Sequence, residues 1–126
     1  MGAVDTNILV RLITRDNRDQ TIAAEAFIEA GAWVSLLALA ETIWVLSTSY
    51  KLGPEDQVHA VEMLIAHQDL VLQDADVVAS ALSLFRSKPK LGFTDCLLLE
   101  IARKAGHLPL GTFDRSLAKA DGAHKL

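Results

Sequence analysis

The sequence contains one cysteine, three prolines and one tyrosine among 126 residues, and its 16 acids outnumber its 12 lysines and arginines. A single cysteine, Cys96, excludes an intrachain disulfide framework and a zinc site built on cysteine pairs, and a reducing cytoplasm is the expected setting. A formal net charge of −4 excludes a protein that finds nucleic acid through a general basic field, while leaving room for a local basic rim. No apolar run reaches the roughly 18–20 residues of a membrane span. The longest, around Trp33–Leu46, is broken by Ser35, Glu41 and Thr42. No signal-peptide pattern is present. Met1-Gly2-Ala3-Val4-Asp5-Thr6 has the form of a myristoylation signal. Those residues read instead as a first core strand, which cannot also present a lipid.

What is present is a 51% hydrophobic chain of a length that suits one domain, residues 1–126, with a single sizeable core. Gly2–Val4 reads as a strand, followed by a helix over Asn7–Ile13 with Ile8, Leu9, Leu12 and Ile13 at helical spacing. After the interruption "RDNRD", a helix over Thr21–Ala30 is expected to bury Ile22, Ala23, Ala26, Phe27 and Ala30, with Gly31 as its stop. Ala32–Ser35 reads as a second strand and Leu36–Tyr50 as a long helix closed by Leu52-Gly53-Pro54. Pro54 opens a helix with the stripe Val58, Val61, Leu64 and Ile65. Leu70–Leu72 is a third strand, and Asp74–Arg86 a helix with Val77, Val78, Ala81, Leu82 and Phe85 inward. "SKPKLG" reads as a loop, Thr94–Ala105 as a helix stopped by Gly106, and Leu108–Thr112 as a fourth strand. A short helix over Asp114–Ala120 and a small strand in the tail complete the chain. Strands alternating with helices predict parallel pairing and an α/β sandwich.

Three acids fall where such a sheet gathers its ligands, beyond the carboxyl ends of strands: Asp5, Asp95 and Asp114. Each also suits helix capping, where an anion is worth roughly 0.3–1 kcal/mol, so taken singly each has a plain explanation. Glu41 differs. Its neighbours at helical spacing are Leu37, Ala38, Trp44 and Val45, all apolar, so the pattern predicts a carboxylate off any solvated stripe. A buried charge needs a partner or a cation, and no lysine or arginine lies within a turn of it. Carboxylates without histidine or cysteine select Mg²⁺ or Mn²⁺. His59, His67, His107 and His124 show no ligand spacing, and Ser35 and Cys96 lack a histidine partner for nucleophilic catalysis.

"VDTNILVRLI", "WVSLLALAETIWVLSTSYKL", "GFTDCLLLEIARKAG" and "LGTFDRSLAK" together resemble successive motifs of the PIN-domain family, in particular its VapC-type toxins. The resemblance covers about residues 3–120. It implies a PIN-like three-layer α/β/α sandwich with a central parallel sheet of four to five strands, and a Mg²⁺- or Mn²⁺-dependent ribonuclease. It assigns Asp5, Glu41, Asp95 and Asp114 as the catalytic, metal-binding quartet, supported by Thr6, Asn7 and Thr112. Gly92-Phe93-Thr94 supplies no fifth acid. Family members are typically dimers inhibited by a cognate antitoxin. Rim cations that could meet RNA are Arg115, Arg11 and Arg15, with Lys88 and Lys90. Two rival functions remain open. One is a catalytically silent binding module, which Glu41→Gln would separate by metal binding and RNA cleavage. The other is a haloacid-dehalogenase-type phosphatase, whose second aspartate is replaced here by Asn7.

Overall fold

The computed structural model describes residues 1–126, which divide into two compact units, Met1–Ala75 and Asp76–Leu126. In the first unit, β1 (Gly2–Ala3) leads into α1 (Thr6–Thr14) and α2 (Arg18–Ile28). Then follow β2 (Ala32–Val34), α3 (Leu36–Thr48), α4 (Pro54–Ala66) and β3 (Leu70–Leu72). Pairs of helices carry each strand back to start beside the last, so the sheet is parallel, in the order β1-β2-β3. Ala3, Trp33 and Val71 share one row of its register. The alternation predicted for half-covered strands appears directly: Ala32, Val34, Leu70 and Leu72 are buried, while Trp33 and Val71 face out.

Local chemistry explains most of the boundaries. Asn17 caps α2 by accepting from the Gln20 N–H at 3.0 Å, and Ser35 caps α3 by accepting from Ala38 N–H at 3.0 Å. Pro54 occupies the first turn of α4, where no N–H donor is missed. Gly31, at φ +94°, lets the chain leave α2 and enter β2. The apolar centre of this unit is Leu9, Leu39, Ile43, Leu46, Val61 and Leu64, on α1, α3 and α4.

The second unit holds α5 (Ala75–Ser87), a 3-10 turn (Pro89–Leu91), α6 (Phe93–Ala105) and β4 (Leu110–Thr112). A second 3-10 turn (Leu117–Lys119) and β5 (Ala123–Lys125) follow. The five residues Val77, Val78, Ala81, Leu82 and Phe85 are all buried, as their spacing predicts. Phe85 meets Phe93 edge to face, with ring centroids 5.9 Å apart. Gly106 ends α6 in the left-handed region at φ +81°, which returns its N–H to the last turn.

Several expectations need correction. The helix after "RDNRD" buries Thr21, Ala24 and Ile28, whereas Ile22 and Phe27 are 54% and 52% exposed and Ala23, Ala26 and Ala30 are also exposed. Thr21 can be buried because its hydroxyl donates to the Asn17 carbonyl at 2.8 Å and reaches the Arg11 carbonyl at 3.4 Å. In α4 the buried set is Gln57, Ala60, Val61 and Leu64, and Ile65 faces out. Gln57 is satisfied there by donating to the Leu52 carbonyl at 2.9 Å. The last helix shrinks to a single 3-10 turn, and "SKPKLG" contains another. The five strands divide into a three-stranded parallel sheet and a two-stranded one, β4-β5, also parallel, rather than hydrogen bonding as one sheet of four to five.

Candidate functional site

Asp5 follows β1 and forms the N-cap of α1, its Oδ1 accepting from Ile8 N–H at 3.2 Å. The plain explanation for this residue is therefore true, and it leaves Oδ2 for other work. Thr6, the next residue, turns its hydroxyl to donate to Glu41 Oε2 at 2.8 Å. That bond joins the start of α1 to the middle of α3, helices that pack closely along their apolar faces. Asn7 is exposed beside them, with no hydrogen bond from its side chain.

Glu41 itself contradicts one expectation. It is exposed, not buried, because the apolar face it shares is exposed too, with Leu37 at 70% and Trp44 at 62%. Apolar neighbours one turn away predicted burial only on the assumption that the face is covered. Being exposed, this carboxylate can be hydrated by solvent without a buried partner, and its orientation comes from Thr6.

In the second unit the arrangement repeats with different parts. Thr112 ends β4, and its hydroxyl accepts from the Asp114 N–H at 3.0 Å. Asp114 in turn accepts at Oδ1 from Leu117 N–H at 2.8 Å, and its carbonyl receives Ala118 N–H at 3.0 Å. It holds the first N–H of the 3-10 turn, whose N-cap position is Ser116, and sits on a short, hydrogen-bonded loop. Asp95 lies one turn into α6, where Gly92 is the N-cap, so capping does not account for it. Partial burial pushes its carboxyl above the ordinary carboxylate range, and the negative charge of Asp114 adds to the effect. These two acids are thus near enough to repel. The adjacent Cys96 is fully buried, and desolvation pushes its thiol up to about 12, with Asp95 and Glu100 adding to the shift. It stays protonated at neutral pH and offers no thiolate nucleophile.

None of Asp5, Glu41, Asp95 and Asp114 forms an ion pair; every lysine and arginine bridge goes elsewhere. No group of three or more His, Cys, Asp or Glu side chains lies close enough to hold a metal ion. The donor chemistry nevertheless suits a hard divalent cation. It offers carboxylate oxygens without soft ligands, a free oxygen on each of Asp5 and Asp114, and like charge between Asp95 and Asp114 with no protein cation to offset it.

The predicted rim cations differ among themselves. Arg115 is exposed and unpaired next to Asp114. Arg11 is engaged within its unit, Nε donating to Gln20 Oε1 at 2.6 Å and Nη1 to Asp16 Oδ1 at 3.0 Å. Arg15 pairs with Glu25 at 3.3 Å. Lys88 and Lys90 are exposed around the 3-10 turn before α6. Sequence reading passed over Asp16 and Tyr50, which complete the Arg11 cluster: Tyr50 donates its hydroxyl to Asp16 Oδ2 at 2.7 Å and receives Arg11 Nη1 at 3.2 Å. The available signal was the sole tyrosine of the chain, placed just beyond the end of α3.

No helix is long and apolar enough to cross a membrane. No curated protein matches the chain. The sequence pattern of the PIN domain, however, matches residues 3–123, nearly its full length. PIN domains are generally nucleases, and Asp5, Glu41, Asp95 and Asp114 all fall inside the matched span. The chain belongs to the PIN domain family.

Proposed function

We propose that this protein is a Mg²⁺- or Mn²⁺-dependent endoribonuclease, the toxin of a toxin–antitoxin pair, built as one PIN domain over residues 1–126. By the family resemblance, Asp5, Glu41, Asp95 and Asp114 would be the residues to hold the metal, which would supply positive charge for the phosphoryl transition state and a lowered pKa for the attacking water. The protein's own residues supply orientation. Thr6 fixes the Glu41 carboxylate, Thr112 fixes the backbone that carries Asp114, and Asn7 stands beside Asp5 at the start of α1. Arg115 is assigned to an RNA phosphate, being unpaired and next to Asp114. Arg11 and Arg15, already paired, would have to release a carboxylate first.

One observation carries the reading. Four acids at the family's motif positions are uncompensated by any lysine or arginine, and two of them already repel each other. No side-chain nucleophile competes: the Ser35 hydroxyl is committed to capping α3, and the Cys96 thiol is held protonated. The partners implied by the resemblance are RNA, a cognate antitoxin and a second copy of the chain, in the cytoplasm.

The test is cleavage of a labelled RNA by the purified protein with millimolar Mn²⁺, with Mg²⁺ and with excess EDTA, alongside Glu41→Gln. Cleavage should require the metal and disappear in the variant. Full-rate cleavage in EDTA overturns the metal assignment. Wild type that binds RNA and never cuts it points instead to a silent binding module. Growth arrest on expression, lost in Glu41→Gln, tests the toxin role.

A further inference from the structure

Apolar packing sets how far apart two helices lie and favours certain crossing angles with a scatter of about 15–20°, whereas directed polar bonds narrow rotation and sliding further. In the first unit the packed faces of α1 and α3, with Leu9, Val10 and Leu12 on one and Leu39, Ile43 and Leu46 on the other, are apolar. Two polar connections add direction. One is the bond from Thr6 to Glu41 at 2.8 Å. The other lies toward the C-terminal ends of the same helices, apart from the four acids and the hydroxyls that bond them.

There, Arg11 on α1, Asp16 in the turn that follows, and Tyr50 after α3 form a closed ring. Arg11 Nη1 donates to Asp16 Oδ1 at 3.0 Å and to the Tyr50 hydroxyl at 3.2 Å, and that hydroxyl donates to Asp16 Oδ2 at 2.7 Å. Thr14 adds a bond to Asp16 Oδ1 at 2.7 Å, and Gln20 on α2 receives Arg11 Nε at 2.6 Å. Both oxygens of Asp16 are therefore occupied. The charge of Arg11 is matched, its side chain is only 24% exposed, and every member has a directed partner. The tight turn is shaped to deliver Asp16: Arg15 adopts φ +54° and returns its N–H to the Arg11 carbonyl at 3.0 Å.

We infer that Arg11, Asp16 and Tyr50 are positioning residues that fix the register of α3 on α1 and so hold Glu41 where it meets Thr6. The inference rests on the proposed catalytic role of Glu41, and it assigns Arg11 to positioning in place of RNA contact. Thr6 and Arg11 are five residues apart, roughly 7.5 Å along the α1 axis. Pinning at both places stops α3 from pivoting about either one. Losing the distal pin leaves Glu41 tethered by one exposed hydrogen bond, and a carboxylate displaced by about 1 Å can lower turnover about 100-fold. The carboxyl of Asp16 is held below the ordinary range first by the Tyr50 and Thr14 hydroxyls, with Arg11 adding to the effect, which agrees with a ring that stays ionised at neutral pH.

Tyr50→Phe tests this, since it deletes one hydroxyl and keeps the ring. Two measurements are made on the full chain, well below the melting temperature for the kinetics. The first is a thermal-melting cycle over wild type, Tyr50→Phe, Thr6→Val and the double variant, which needs no activity. Coupled pins predict that Thr6→Val costs clearly less in the Tyr50→Phe background, because the proximal bond is already loosened; distant independent sites would add. The second is RNA cleavage with Mn²⁺, where kcat should fall about 10-fold or more with KM for RNA unchanged. A stabilising contact alone would leave kcat per folded molecule untouched. Additive melting costs overturn the inference whatever the enzyme does, and so does unchanged kcat in an active protein. Wild type inactive on RNA, with coupled melting costs, overturns the ribonuclease reading and retains the pinning of Glu41.

Discussion

Asp5 is a helix cap and, in the proposed function, also a metal ligand, and a pair of substitutions can read the two roles apart. Its Oδ1 accepts from Ile8 N–H at 3.2 Å, at the long end of the hydrogen-bond range, and the residue is exposed. Removing such a cap costs about 0.5–1 kcal/mol, the lower half of the usual span. Losing the charge at the N-terminus of α1 costs roughly 0.3–1 kcal/mol more, screened by salt. Asp5→Ala should therefore lose about 1–2 kcal/mol. With about 2.1 cal/mol/K per residue over 126 residues, unfolding entropy at the midpoint is about 0.26 kcal/mol/K, so the melting temperature should fall by about 4–8 °C. Asp5→Asn keeps an acceptor for Ile8 and loses only the charge contribution, about 1–4 °C by the same conversion. If Asp5 is also a metal ligand, both variants lose more than about 100-fold in RNA cleavage, although one is nearly as stable as wild type. Calorimetry in EDTA and a cleavage assay in Mn²⁺, on the same preparations, give both numbers. Asp5→Asn that cleaves within about 10-fold of wild type would refute the ligand assignment and leave Asp5 as a cap alone.

Asp95→Asn should melt higher than wild type at neutral pH in EDTA, because the folded state raises this carboxyl and so disfavours its charged form. The sign follows from linkage: stability associated with Asp95 is full below its ordinary value of 3.8 and is lost as pH rises through the raised folded value. The advantage of the variant should therefore vanish below about pH 3.8, and millimolar Mn²⁺ should reverse the order by stabilising wild type more. Melting curves across pH check both, and a variant less stable than wild type at pH 7 in EDTA contradicts the cause. Phe85→Ala removes a fully buried ring in edge contact with Phe93 and should cost about 3–5 kcal/mol, read by urea denaturation. Light scattering should show a dimer at high micromolar concentration, as the exposed Leu37 and Trp44 on α3 favour, and a monomer there counts against it.

The elements that sequence alone determined are those whose signal is local. Leu70–Leu72 stands as read, between a helix end and a turn. Pro54 and Gly106 mark a helix start and stop because φ restriction and the left-handed region belong to single residues. The inward face of α5 was legible because Val77, Val78, Ala81, Leu82 and Phe85 contrast with polar residues around the rest of the helix. The acids and their hydroxyl partners were legible as motifs, and the bonds from Thr6 to Glu41 and from Asp114 N–H to Thr112 give two of those partners a geometry.

Tertiary structure decided what depends on which surfaces meet. In α2, alanines spread around the helix make two faces almost equally apolar, so periodicity did not single out the buried one, and Thr21 is tolerated there because its hydroxyl is hydrogen-bonded. On α3, the apolar residues around Glu41 said nothing about whether anything covers them, so a carboxylate predicted to be buried is exposed. Strand pairing is likewise a long-range choice, and it divides the strands into sheets of three and two. The Arg11–Asp16–Tyr50 ring spans 39 residues of chain, so no window of sequence contained it. Periodicity reports the shape of one element, whereas burial, pairing and polar closure are properties of two or more elements in contact.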